Sequence, residues 1–355
     1  MVEWKKLGEV CEILDSQRKP VSKGKRVQGI FPYYGANGIQ DYVDKYIFDG
    51  TFLLLGEDGS VKNEDNTPVL HWATGKIWVN NHAHILKECD GYILRYIYYS
   101  LQCVDVSDIV RGVPPKISQA NMRNILIPIP SLEEQERIVG ILDTFTASIG
   151  NIKAQIEQRR KQYEHYRNTL LTFNKDDDSV EWKTLGEIGD ISAGGDVPRN
   201  TIKETNPIEN YCFPVYSNGK ENNSLYGYST SYSIEKQAVT ISARGTIGWH
   251  CVREAYFTPI IRLITVIPDE KLLSAKYLDY ALYVTRIGGD NGGIPQLTVP
   301  SIKNCEIPLP SLQEQQRIVS ILDTFEASIT NLEAQLEQRQ KQYEYYREEL
   351  LTNLS

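Results

Sequence analysis

The chain has 355 residues, 38 Lys and Arg against 46 Asp and Glu, a formal charge of −8, and 41% hydrophobic residues. That length exceeds one typical domain, the composition is that of a globular protein, and the acidic balance excludes a broadly basic, non-specific binder of polyanions. Met1 to Lys6 is polar and no apolar stretch follows it, so no signal peptide, transit peptide or membrane span is expected; six scattered cysteines (Cys11, Cys89, Cys103, Cys212, Cys251, Cys305) without a C-x-x-C pair read as reduced thiols of a cytoplasmic protein.

In chain order, the sequence opens on Val2-Glu3-Trp4-Lys5 and KLGEV, and the same words return at Val180-Glu181-Trp182-Lys183 with TLGEI. A first variable region, about 14–125, predicts short strands at Tyr46-Ile47-Phe48, Thr51 to Leu55, Lys76 to Val79 and Ala83 to Leu86, a turn at Gly56-Glu57-Asp58-Gly59, and a helix over Gly91 to Leu101. A proline-rich lead, Ile127 to Pro130, then introduces a helical segment from Ser131 to Thr172. The second variable region, about 192–305, predicts strands at Ala238 to Ser242, Ile247 to Cys251 and Ile260 to Val266, turns at Gly245 and Gly248, and a helix over Ser274 to Val284. The lead Ile307 to Pro310 and the segment Ser311 to Thr352 close the second copy. At a constant offset, about 30 of the 42 helical positions are identical, whereas the variable regions share only faint marks such as Gly112-Val113-Pro114-Pro115-Lys116-Ile117 beside Gly293-Ile294-Pro295-Gln296-Leu297. Parts that stayed alike suit a common framework, and parts that drifted suit different targets; ordinary loop drift after duplication is the plainer alternative.

Each helical segment begins with S-x-x-E, Ser131 with Glu134 and Ser311 with Glu314, the spacing of a capping box. Apolar residues follow at alternating steps of four and three: Ile138, Leu142, Phe145, Ile149, Ile152 and Ile156 in the first copy, Ile318, Leu322, Phe325, Ile329, Leu332 and Leu336 in the second, with Arg159 and Arg339 in the next slot and tyrosines beyond. A period of 3.5 specifies a coiled-coil seam. If continuous, such a helix is about 63 Å long, with a kink possible near Gly150. Antiparallel pairing of the two copies returns the chain to its start and relates its halves by a pseudo-twofold axis. The expected fold is therefore α+β: two globular domains, 1–130 and 173–310, separated by two long antiparallel coiled-coil helices, 131–172 and 311–355.

No P-loop, G-x-G-x-x-G, H-E-x-x-H, G-x-S-x-G or methyltransferase motif occurs. His82 and His84 form H-x-H on a predicted strand near Cys89, but alternation puts both on one sheet face, where packed or solvated histidines are commoner than metal ligands. Glu57 and Asp58 flank a turn without a neighbouring lysine to complete a nuclease-like cluster. No catalytic residue, metal or cofactor is assigned. What remains is loops that combine basic, amide and aromatic residues: Ser22-Lys23-Gly24-Lys25-Arg26, Tyr33 to Gly38, Arg111 to Lys116, Pro198-Arg199-Asn200, Tyr216 to Lys220, Arg244-Gly245 and Asn291-Gly292-Gly293. Arg, Lys, Asn and Gln read base edges, and Lys, Ser and glycine amides suit phosphates, although polar loops are ordinarily just solvated.

The doubled pattern IPLP-S-L-x-E-Q-x-R-I-V-x-I-L-D-T-F with R-x-K-Q-Y-E-Y-Y-R-x-x-L-L resembles the helical regions of specificity subunits of type I restriction-modification systems, and Ile241 to Gly248 and Leu53 to Ser60 resemble marks within their target recognition domains. The resemblance covers the whole chain, but the insertion often found within each helical region is missing. It implies two target recognition domains that each read one half of a bipartite double-stranded DNA site, helices that set the spacing and bind two methyltransferase subunits, and motor-nuclease subunits that join through the complex, the specificity subunit itself being non-catalytic. Under that reading Lys23, Lys25, Arg26, Asn37, Arg111, Lys116, Arg199, Asn218, Lys220 and Arg244 are the candidate DNA contacts. The competing reading is a coiled-coil adaptor whose end domains bind other proteins.

Overall fold

A computed structural model describes residues 2–175, 180–220, 224–285, 287 and 296–352. Asp176, Asp177 and Asp178, Asn291, Gly292, and the Gly293-Ile294-Pro295 part of the second loop mark lie outside the described residues. The chain divides into two compact units, residues 1–153 with 334–355 and residues 154–333. Each combines one globule with a length of both long helices.

In the first unit, β1 (Glu3–Lys6) is followed by α1 (Leu7–Val10), β2 (Cys11–Ile13), β3 (Gln28–Gly35), β4 (Gly38–Val43), β5 (Phe48–Gly56), β6 (Leu70–Val79), β7 (Ala83–Glu88), α2 (Leu94–Leu101), α3 (Gln119–Arg123), β8 (Leu126–Ile129) and the long α4 (Leu132–Leu171). Six strands form one sheet in the order β2-β7-β5-β6-β3-β4, antiparallel except where β3 runs parallel to β6. The apolar run Phe52 to Leu55 explains why β5 lies inside it. Leu53 and Leu55 enter the core beneath α2, while Phe52 and Leu54 enter a second core on the opposite face. A strand buried on both sides loses alternation and reads as continuously hydrophobic.

The second unit repeats this plan: β9 (Glu181–Thr184), α5 (Leu185–Ile188), β10 (Gly189–Ala193), β11 (Thr201–Ile202), β12 (Phe213–Tyr216), β13 (Leu225–Ser229), β14 (Ala238–Ile241), β15 (His250–Arg253), β16 (Thr258–Pro259), β17 (Ile264–Pro268), α6 (Ala275–Val284), α7 (Val299–Lys303), β18 (Glu306–Leu309) and α8 (Leu312–Thr352). Its strands form two four-stranded sheets, β10-β17-β14-β15 and β11-β13-β12-β16, with β12 and β16 parallel as β3 and β6 are. Three predicted strands need correction. Residues Tyr46 and Ile47 precede β5 without joining it. Ile247 and Gly248 form a turn, in which Gly248 takes a φ of 78°, and β15 starts only at His250. The run from Ile260 to Val266 is broken, because Ile261 and Arg262 adopt φ of 52° and 59° in the left-handed region, and β17 starts only at Ile264.

The long helices run antiparallel within each unit. In the first, Ile138 and Leu142 share a core with Leu351, and Phe145 stacks on Tyr346 at 5.3 Å. In the second, Ile318 and Leu322 share a core with Leu171, and Phe325 stacks on Tyr166 at 5.2 Å. The arginines that interrupt the seam cover the same rings, Arg339 over Phe145 and Arg159 over Phe325, each at 5.6 Å. Ile149, Ile152, Ile329, Leu332 and Leu336 are only partly buried, and Ile156 is buried. Helix α4 passes Gly140 and Gly150 without interruption. The caps form only their serine half. The Ser131 and Ser311 hydroxyls accept from the amides of Glu134 and Glu314 at 3.3 Å, but the glutamates grip Arg137 and Arg317 instead of turning back.

The junction between globule and helix is copied almost atom for atom. Gln135, buried, accepts from the Ile93 amide and donates to the Pro130 carbonyl; Gln315 accepts from the Ser274 amide and donates to the Pro310 and Leu272 carbonyls. The Tyr96 and Tyr277 hydroxyls donate to the carbonyls of Pro128 and Pro308, and those of Tyr99 and Tyr280 donate to Asp143 and Asp323. This repeat inside the variable regions escapes a reading of the sequence, because its tyrosines are separated from the helical motif by a dissimilar strand and loop.

Candidate nucleic-acid interface

In the first unit three loops meet at one end of the six-stranded sheet. The Asn80 amide donates to the Tyr34 carbonyl at 3.0 Å, which ties the loop before β7 to the end of β3 and the turn carrying Asn37. The Glu57 amide donates to the His82 carbonyl at 2.9 Å, joining that loop to the turn after β5. The Ile117 amide donates to the Glu57 carbonyl at 3.0 Å, and the Gly59 amide to the Pro115 carbonyl at 2.9 Å, which seats the Arg111 to Lys116 hairpin on the same turn.

Beneath these loops lies a charged cluster. His84, fully buried, has Nδ1 2.6 Å from Asp15 Oδ2 and Nε2 2.9 Å from the Ile117 carbonyl. Arg18 pairs with Glu57 and donates to the Ala83 carbonyl at 2.8 Å, and Lys116 Nζ lies 3.0 Å from Glu57 Oε1. Burial by itself pushes both carboxyls up, but hydrogen bonds outweigh it and leave both below the usual range: from His84 and Gln119 on Asp15, and from Arg18 and Lys116 on Glu57, aided by the His84 charge. Asp15, Glu57 and His84 each place one ligand atom within 4.8 Å of the others, a possible metal triad, yet every one of them is engaged in the internal pairs just described. The histidine reading is corrected in one respect: His82 sits in the turn before β7, 3.8 Å from Asp58, so the two histidines do not share a strand face. The lysine missing from the local sequence around Glu57 arrives from Lys116.

The second unit builds the same end from two of the same connections, and the Asn218 side chain takes the amide that matches that of Glu57. The Ile260 amide donates to the Tyr216 carbonyl at 2.8 Å, and the Leu297 amide to the Ala243 carbonyl at 3.1 Å. Asn218 is the clamp. It accepts from the Ala243 amide and donates to the Ile261 carbonyl, each at 2.7 Å, while Ser242 and Gly219 exchange hydrogen bonds at 3.2 Å. The pairing of Ile117 with Glu57 and of Leu297 with Ala243 gives the loop mark of the two halves the register read from sequence, within the described residues.

The candidate residues fall into two groups. Lys23, Lys25, Asn37, Arg111, Arg199 and Lys220 are exposed. The other four are held by the protein itself. Arg26 lies 4.2 Å over the Tyr33 ring and pairs with Asp41 at 3.3 Å, with 14% of its side chain exposed. Lys116 holds Glu57, Asn218 spans two loops, and exposed Arg244 donates to Gln296 at 2.9 Å. The loops bring Asn37, Arg111 and Lys116 to one end of the first globule and Asn218, Lys220 and Arg244 to one end of the second. Lys23, Lys25 and Arg26 instead lie on the segment that leads into β3. Sequence reasoning passes over Arg18, Asp15 and Arg253, whose partners are remote in the chain; Arg253 lies 3.8 Å over the Tyr216 ring.

A duplicated α+β module, each copy presenting one rim of loops and joined to a long helix through one repeated set of contacts, defines a two-part recognition scaffold. The family described as type I restriction modification DNA specificity domain matches residues 1–159 and 178–341, and the chain belongs to that family. A putative type I restriction enzyme specificity subunit of Haemophilus influenzae is 37% identical, with all of this chain and 96% of the relative covered. The EcoR124I/EcoR124II specificity subunit of Escherichia coli is 30% identical over 99% of this chain and 94% of its own. The crystal structure of a type I restriction-modification S subunit from M. genitalium has the same fold, with a TM-score of 0.70 at 16% identity, covering 100% of this chain and 97% of that one. No helix among the described residues is long and apolar enough to cross a membrane.

Proposed function

We propose that this chain is the DNA sequence-specificity subunit of a cytoplasmic type I restriction-modification complex. Residues 1–130 and 173–310 are the recognition domains, each reading one half of a bipartite double-stranded DNA target. The helical segments 131–172 and 311–355 set the spacing and dock two methyltransferase subunits, through which motor-nuclease subunits join. The chain is a reader without a catalytic step of its own; methyl transfer, cleavage and the cofactors they need belong to its partners.

The observation that carries this reading is the doubled rim. Both globules share two backbone connections at one sheet end, Asn80 to Tyr34 and Ile117 to Glu57 in one and Ile260 to Tyr216 and Leu297 to Ala243 in the other, and exposed basic and amide side chains differ between the two: Asn37, Arg111 and Lys116 in one, Lys220 and Arg244 in the other. A fixed scaffold under changed loop chemistry suits two readers of different half-sites. The relatives named as restriction enzyme specificity subunits agree with it. The test is an electrophoretic shift of the chain assembled with its methyltransferase subunits on a pooled DNA library. Binding that weakens steeply with salt and selects a two-part motif is expected; binding without sequence preference, or none, refutes the proposal.

A further inference from the structure

The geometry points to Arg262 as a base-reading contact of the second recognition domain, a residue whose loop the sequence reading takes for strand. This rests on the proposed DNA-reading function and adds a residue and a mode of recognition to it.

Three observations carry it. First, the backbone at Ile261 and Arg262 is held in two successive left-handed conformations, φ 52° and 59°. A β-branched residue there costs on the order of 1–3 kcal/mol and persists only where the surroundings over-determine it. They do: the Ile261 amide donates to the Gly195 carbonyl at 2.8 Å, the Arg262 amide to the Gly194 carbonyl at 3.1 Å, and Asn218 Nδ2 to the Ile261 carbonyl at 2.7 Å. Gly194 allows the approach, since a Cβ there would lie 2.7 Å from the Ile260 nitrogen. Second, the strain presents no core side chain. Ile261 is 50% exposed, Arg262 is exposed, and its guanidinium makes no ion pair or side-chain hydrogen bond among the described residues. Third, the first globule puts His82 at the same place. Counting from the parallel strand contacts, Asn80 matches Ile260 through their bonds to Tyr34 and Tyr216, so His82 matches Arg262. Counting back from the central strand gives the same answer: Glu57 matches Ala243, hence Leu55 matches Ile241, and their partners His84 and Ile264 both lie two residues beyond. One rim position, two exposed side chains able to donate to base acceptors, and two different chemistries are what two readers of different sequences require.

A guanidinium on a backbone fixed from three sides suits the bidentate fork that arginine offers to guanine N7 and O6 in the major groove. A phosphate contact needs charge but not that fork, and lysine supplies charge alone. The chain assembled with its methyltransferase subunits is therefore compared with R262K and R262A on a randomised DNA library across a salt series. R262K is expected to keep most of its salt dependence and to lose about tenfold to a hundredfold discrimination at a single base pair of one half-site, with the other half-site unchanged. R262A should lose the same base preference. I261G, which relieves the left-handed strain, should keep or raise thermal stability while blunting preference at that base pair. Unchanged selectivity in R262K overturns the inference, as does uniform weakening on all sequences with a shallower salt slope in R262A, the signature of a phosphate contact. Full selectivity in I261G overturns the claim that the held backbone matters. If the unaltered assembly selects no two-part motif, the DNA-reading function itself fails, a result distinct from all of these.

Discussion

Asp15 and Glu57 do at the residue scale what a small apolar core cannot. Glu57 holds Lys116 of the Arg111 to Lys116 hairpin, and Asp15 holds His84, whose Nε2 meets the Ile117 carbonyl just after it. Both carboxyls lie below their ordinary range in the folded chain, so the stability they contribute is present above the unfolded carboxylate range and is lost as pH falls through the folded values. E57Q removes one of the two carboxylates on Arg18, which keeps Asp15 at 3.4 Å, and the partner of the half-exposed Lys116, and should cost about 1–3 kcal/mol at neutral pH. Thermal melts from pH 7 down to pH 3 should show a smaller loss of stability in E57Q than in the parent; parallel curves would show that Glu57 does not carry the acid sensitivity. The residues at this centre were legible as a turn and as an H-x-H, but their roles were not. Asp15, Arg18 and Lys116 reach His84 or Glu57 from segments 39 to 69 positions away, and no local pattern records such a meeting.

At the scale of elements, the S-L-x-E-Q words are half cap and half joint. Serine caps, and the buried glutamine ties the helix to the start of the globule's own helix, to the Ile93 amide in one unit and the Ser274 amide in the other. That double role accounts for the identity of the motif between copies better than a helix start alone. Q135A leaves a buried amide and a carbonyl without a partner, a loss of about 1–3 kcal/mol. L142A opens a cavity in a core that also holds Leu351, about 2–5 kcal/mol, whereas I149A, at a partly buried seam position, should cost less. Urea midpoints rank the three; an I149A loss equal to that of L142A would mean that the seam is packed evenly along its length. The heptad pattern foretold two long antiparallel helices. It does not reveal that the best-buried positions are those where the seam runs into a globule.

For the whole molecule, charge is the feature whose meaning shifted most. By count, residues 1–130 balance 15 basic against 15 acidic side chains, and half of the net charge of −8 lies in 311–355, in helix α8 and the residues after it. The other half lies in residues 173–310, with 13 basic against 17 acidic side chains, so the acidic total is shared between one helix and the second globule, and the first globule contributes none of it. Under the proposed function, inserting one heptad into both helices should lengthen the gap between preferred half-sites and leave the half-sites themselves unaltered, as read by methylome sequencing of cells carrying the altered subunit; an unaltered gap would mean that something other than the helices sets it. By itself, the sequence determined the duplication, the α+β class, the two long helices with their seam, and membership of the specificity-subunit family. These are properties of period, spacing and near-identical words, which survive in one dimension. Only the tertiary structure decided that the variable regions are one module twice, that four of the ten candidate contacts are held by the protein's own groups, and that Arg262 stands where a strand had been expected. Those depend on residues far apart in the chain and on two backbone angles at Ile261 and Arg262, and neither kind of information is carried by composition or by periodicity.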